Sequence, residues 1–210
     1  MPRPDQSFYL AHFTKNGKQY HPDQSRENLT NDQMSAFERL THILQEKRIN
    51  ATRMNWTNQK AVCFTECPWG SLLRHAENYS CYGIGFTKQF VFSRGGNPVI
   101  YANPNMFSSQ KWDPEVYPFV TPFVPSYAPD SVKNKTPFLG KPVDYTHERE
   151  WRVARTISFQ YRNIRFVVLE KVSDLQKIPE DIIKEIGVEK FLFMDTYKKI
   201  EELWPTHLMD

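Results

Sequence analysis

Between Asn103 and His147 the chain sets eight of its fifteen prolines, at positions 104, 114, 118, 122, 125, 129, 137 and 142, and no helical or strand period holds across the interval. Each proline fixes φ and removes a backbone donor, so neither a long helix nor a central strand can cross it. A segment this long without a period is uncommon inside a compact domain and is often a lid or binding loop. The same interval carries Phe107, Trp112, Tyr117, Phe119, Phe123, Tyr127, Phe138 and Tyr145. That content is too apolar for a solvated linker, so the expectation is a packed loop folded over the domain. Whether it binds something or merely covers a sheet face stays open.

Regular elements are expected on either side. Phe8 to Phe13 reads as a first strand, with His12 and Thr14 on one face. From Asn28 to Arg48, Met34, Phe37, Leu40, Ile43 and Leu44 recur at helical spacing, and Thr30 and Gln33 stand at capping-box spacing before them. Ile49 to Met54 and Lys60 to Glu66 read as strands, Pro68 opens a short helix through Leu72, Leu73 and Ala76, and Tyr82 to Phe86 is a strand whose two glycines let a backbone or ligand approach closely. A helical turn follows through Lys88 to Phe92, then a turn at Gly95-Gly96-Asn97 and a strand from Pro98 to Ala102. After the loop come strands at Glu148 to Thr156 and Arg165 to Val172, a helix opened by Pro179 and ended by Gly187, a strand at Glu189 to Asp195, and a closing helix at Tyr197 to Trp204. Strand and helix do not alternate regularly. The class implied is α+β, in a single domain over residues 1–210.

Composition narrows the function. Net charge is +3 and the basic residues are scattered along the chain, which gives no strong footprint for nucleic acid or an anionic membrane. No apolar run reaches the length of a signal peptide or membrane span, and the three cysteines, Cys63, Cys67 and Cys81, suit a reducing compartment, so a cytoplasmic protein with no membrane partner is expected. No second cysteine pair or close histidine pair completes a zinc site, so no metal is expected. A phosphate-binding P-loop, a complete dinucleotide fingerprint, HExxH and GxSxG are all missing.

What remains is Thr146 to Arg152, THEREWR, where Glu148, Glu150 and Arg152 fall in step on one face of the expected strand. Two carboxylates two residues apart lie about 6–7 Å from each other along a strand. In a reaction that breaks a ribose carbon–nitrogen bond, one carboxylate can hold the ribose hydroxyl as positive charge builds on the sugar, while the other orients the nucleophile. The plainer account is a row of charges matched by a neighbouring strand, and of His12 a satisfied core or edge histidine.

His12-Phe13-Thr14 on a first strand, Leu40 to Ile49 as LxxILxxxxI, a VCFTE strand and a late glutamate together resemble the ADP-ribosyltransferase superfamily. More closely, VCFTECP, YGIGFTKQF with PVIY downstream, and EREWRV resemble a bacterial family of AbiGi abortive phage resistance proteins, described as antitoxins. The resemblance spans most of residues 8–156 and implies a split mixed β-sheet with flanking helices and NAD as substrate. It further implies that His12 holds an NAD ribose hydroxyl, that Thr14 lies beside the nicotinamide half, that Glu150 acts on the nicotinamide ribose, and that Tyr82 stacks on nicotinamide. By the same resemblance Arg53 contacts phosphate and Glu148 is the first glutamate of an ExE pair. Superfamily members with the H-x-T pattern do not usually carry that pair.

The function expected from this is NAD-dependent ADP-ribosyl transfer to a nucleic-acid or protein target, in phage defence or a toxin–antitoxin pair. One alternative is a catalytically inactive antitoxin of the same fold, bound to a cognate toxin. Another is a nucleic-acid-binding or nuclease domain that uses the aromatic loop.

Overall fold

The computed structural model describes residues 7–22, 29–66, 79–133 and 141–203. Cys67, the helix expected from Pro68, Phe138 and Trp204 lie outside these residues. The fold is mixed α+β, with two four-stranded sheets and two two-stranded ones among the described residues.

The first sheet has the order β1 (Tyr9–Phe13), β5 (Gly83–Thr87), β11 (Ile164–Leu169) and β12 (Phe191–Phe193). Its β11–β12 pair is parallel and the others antiparallel. β5 lies between two partners, and Gly83 to Phe86 are buried throughout, as expected of a strand covered on both faces. The second sheet has the order β3 (Thr52–Arg53), β4 (Lys60–Phe64), β9 (Trp151–Val153) and β6 (Asn97–Pro98). The sheets meet through one bridge, where Ala11 and Thr65 exchange backbone hydrogen bonds of 3.0 and 2.8 Å. Beyond that bridge β1 and β4 make no ladder.

Helix α1 (Ala36–Glu46) buries Leu40 and Leu44 at the expected spacing, against Leu10, Phe64, Ile84 and Phe86 of the strands. Its start differs from the expectation at Thr30. Ser35 is the N-cap, and its side chain and that of Glu38 cap each other's backbone N–H groups. Thr30 and Gln33 close a separate turn, with Gln33 Oε1 accepting from Thr30. Asn16 Oδ1 accepts from the Ala36 N–H at 2.8 Å, so a contact from beyond β1 helps fix where the helix begins.

Two expected strands break into shorter pieces. The stretch after α1 divides into β2 (Arg48–Ile49), paired with β10 (Ile157–Ser158), and β3, paired with β4. The strand expected from Glu148 begins only at Trp151, because Thr146–Glu148 forms a 3-10 turn and Arg149 adopts φ 44°. A left-handed residue ends strand register, so Glu148 does not continue the strand face of Arg152.

The proline-rich segment is more ordered than its sequence suggests. It contains the helix Pro104–Ser109, a 3-10 turn at Tyr117–Phe119 and β8 (Val120–Pro122), which pairs in parallel with β7 (Ile100–Ala102). Val124 and Val143 form a bridge and a small buried cluster with Trp56 packed on it. Most of its described aromatics are half-buried, and Tyr127 and Tyr145 are exposed. Over its described residues the segment therefore carries short elements and a small buried cluster of its own.

Candidate functional site

A cavity of about 670 Å³ is lined by residues that follow one another along β1 and β4, by the segment between β1 and α1, and by the stretch leading into β9. Cavities of this size accommodate a cofactor-sized molecule. His12, Thr14, Arg53, Glu148 and Glu150 all line it. Tyr82 does not: its ring packs edge-on against Phe37, and its hydroxyl reaches Glu170 and Asp174 at 3.1 and 3.0 Å.

β1 delivers the first two residues differently. His12 is half-buried, and its Nδ1 stands 2.8 Å from the Cys63 carbonyl oxygen on β4. A carbonyl only accepts, so Nδ1 carries the proton and Nε2 of the neutral ring is left as an acceptor. Burial lowers the imidazole pKa below its ordinary value, and the Cys63 contact opposes this. Thr14 is buried, with Oγ1 2.8 Å from the Ala36 carbonyl and 3.1 Å from that of Tyr82. Its hydroxyl therefore joins β1 to the beginning of α1 and to β5.

The glutamates occupy contrasting settings. Tyr79 places its hydroxyl 3.0 and 3.1 Å from the two oxygens of the buried Glu148. Burial raises the Glu148 carboxyl pKa, Tyr79's hydrogen bond opposes the shift, and the Glu150 charge adds to it. Tyr79 is in turn held firmly protonated, chiefly by burial and then by Glu148. Lys15 Nζ lies 3.6 Å from the centroid of the Tyr79 ring, and burial lowers its pKa while Glu148 raises it.

Glu150, also buried, is held by Arg152 through a bidentate pair, Nε to Oε1 at 2.8 Å and Nη2 to Oε2 at 2.9 Å. The same guanidinium donates to the carbonyls of Pro118 and Val120 and to Thr121 Oγ1. Arg152 thus couples Glu150 to the proline-rich segment. Burial also raises the Cys63 thiol well above its usual pKa, with Glu150 adding to it, so Cys63 is no thiolate nucleophile at neutral pH.

Tyr79 and Lys15 line the site without any sequence pattern to single them out, and Arg152 stands in the sequence only as a charge in step with the glutamates. For Arg152 the signal was present, an arginine two residues beyond a glutamate. Tyr79 and Lys15 belong to no motif. Trp151 packs on the core, and its indole N–H donates to Glu66 Oε2 at 3.3 Å.

Among the described residues, no three His, Cys, Asp or Glu side chains are grouped to hold a metal ion, and no helix is long and apolar enough to cross a membrane. The model of a family described as "Putative abortive phage resistance protein AbiGi, antitoxin" matches residues 32–185. Arg53, Glu148 and Glu150 fall inside the matched stretch, and His12 and Thr14 precede it. No curated protein and no solved structure matches.

Proposed function

This chain belongs to the AbiGi family of abortive phage resistance proteins, and from that membership we propose that it acts as the antitoxin of a phage-defence pair, holding a cognate toxin rather than turning over a substrate. The observation that carries this reading is the Glu150–Arg152 pair. Each oxygen of the carboxylate that ribose chemistry would need already accepts a charge-assisted hydrogen bond inside the protein. A buried guanidinium thus already takes part of the acceptor capacity of each oxygen, and leaves a ligand hydroxyl only the remaining lone pairs. Co-expression with the candidate toxin tests the proposal: growth should be restored, a stoichiometric complex should copurify, and NAD should not be consumed. Nicotinamide release that disappears in Glu150→Gln would overturn it.

A second reading, NAD-dependent ADP-ribosyl transfer, is favoured by a different observation. His12, Thr14, Glu148 and Glu150, drawn from distant parts of the chain, line one cavity of about 670 Å³. In this reading NAD is the substrate, the bare Nε2 of His12 accepts a ribose hydroxyl, and Glu150 holds the nicotinamide ribose as positive charge develops. Glu148, with its raised pKa, takes the proton of the incoming nucleophile. Arg152 must then share Glu150 with the ribose. Incubation with labelled NAD and separate DNA, RNA and protein targets distinguishes the readings. Label transfer abolished by Glu150→Gln and by His12→Ala supports transfer, and transfer that survives both substitutions removes these residues from it.

A further inference from the structure

A second cavity, of about 660 Å³, adjoins the first and shares Arg53 with it. Its charge is one-sided. Arg53, Lys60, Arg94 and Arg155 line it, opposed by Glu115 alone among its acidic residues. All four cationic residues are exposed, and among the described residues none forms an ion pair with a carboxylate. The scattered basic residues of the sequence are therefore gathered locally by the fold, which the net charge of +3 concealed.

Two features set this groove apart from ordinary surface lysines and arginines. Arg53 and Lys60 are direct Cα partners across the antiparallel β3–β4 pair, an arrangement of like charges that costs stability unless an anion lies between them. Two of the three guanidinium groups are also held by neutral acceptors: Arg53 Nη1 donates to Asn58 Oδ1 at 3.0 Å, and Arg155 Nη2 donates to the Arg94 carbonyl at 3.1 Å. Neither contact neutralises the charge it positions. Phe119, half-buried, contributes an aromatic ring to the wall.

We propose that this groove binds the phosphate backbone of a single-stranded nucleic acid. Three arginines match phosphate through paired donors, and a basic groove with an aromatic wall is the arrangement that tracks a single strand without reading its sequence. Because Arg53 lines both cavities, a strand laid in the groove reaches the mouth of the cavity holding His12 and Glu148. This inference stands apart from the antitoxin reading, and its failure leaves toxin pairing untouched.

The test is anisotropy of short labelled DNA and RNA single strands of one sequence with the full chain, titrated with salt. Four phosphate contacts give a slope of log affinity against log salt of roughly −3, so affinity falls about 50-fold between about 50 and 200 mM. In Arg53→Gln/Arg155→Gln the slope falls to about half and low-salt binding weakens, while Lys184→Gln, which lines neither cavity and is paired with Glu180, behaves as the wild type. Absence of binding at low salt, or a double variant with unchanged affinity and slope, overturns the proposal. Polyglutamate competing as well as the oligonucleotide at equal charge also overturns it, and identifies the groove as a surface for an acidic protein.

Discussion

Arg152 and Glu150 are joined by two parallel hydrogen bonds of 2.8 and 2.9 Å, and both residues are buried. The guanidinium also satisfies two carbonyls and a hydroxyl of the segment from Pro118 to Thr121, so one side chain secures both the glutamate and the loop. Removing one partner of a buried pair leaves the other charge uncompensated. Arg152→Met should therefore lower the unfolding free energy by roughly 3–5 kcal/mol in urea denaturation. Arg152→Met combined with Glu150→Leu should cost less than Arg152→Met alone, since no charge is then stranded. A double variant that loses at least as much as the single one would show that loop anchoring, not charge pairing, dominates.

Glu148 titrates in the opposite sense from most stabilising carboxylates. Burial raises its folded pKa, so in the window between the ordinary carboxylate value and the raised one the folded state holds more protons than the unfolded. Stability from this group is present below that window and is lost as pH rises through it. Glu148→Gln removes the charge and keeps a side-chain carbonyl oxygen that can accept from the Tyr79 hydroxyl. The variant should gain on the wild type as pH rises from about 4 and hold a constant advantage above the raised pKa, by about 1.4 kcal/mol for each pH interval of one between the folded and unfolded values. Paired urea titrations across pH measure this. A difference that is flat with pH would mean that Glu148 is not desolvated.

Much of the fold was legible, and its gaps have identifiable causes. Leu40 and Leu44 announce α1 by spacing, but two Ser/Thr-x-x-Glu/Gln signals precede it. The choice of Ser35 over Thr30 involves Asn16, a residue remote in sequence. The proline-rich segment has no period because its β7–β8 pairing is nonlocal and spans only three residues per strand. Glu148 and Glu150 are found at the cavity as their type suggests, yet the strand expected to align them stops at Arg149, whose positive φ is uncommon for a residue other than glycine. Tyr82 belonged to the expected site, and the pairing of its hydroxyl with Glu170 and Asp174 depends on a helix packing that no motif encodes.

His12 should be neutral throughout the physiological range. Burial depresses its folded pKa below the ordinary 6.5, so the unfolded state binds the proton more readily and stability is lost as pH falls below that value. His12→Gln lacks the titration. The stability difference between wild type and variant should move against the wild type as pH falls from the ordinary imidazole value through the depressed folded one, with a limiting slope of about 1.4 kcal/mol per pH unit between the two. An imidazole NMR titration with a midpoint at or above 6.5 would contradict the assignment.

The glycines of β5 test whether that strand is shaped for packing or for a ligand. A Cβ on Gly85 would lie 2.2–2.5 Å from ring atoms of Phe166, its cross-strand partner on β11, and one on Gly83 would lie 2.9 Å from the Phe13 ring. Real Cβ atoms do not come so close, so the rings occupy the space that side chains would need. Phe166 in turn packs edge-on against Tyr9, with centroids 6.1 Å apart. Gly85→Ala should therefore cost about 1–3 kcal/mol by overpacking. Shortening the opposing side chain should relieve the clash, so Gly85→Ala should cost less in a Phe166→Leu background than in the wild type. Urea unfolding of the four proteins in this cycle gives the coupling. If the cost of Gly85→Ala is the same in both backgrounds, the Phe166 ring is not what requires glycine at this position.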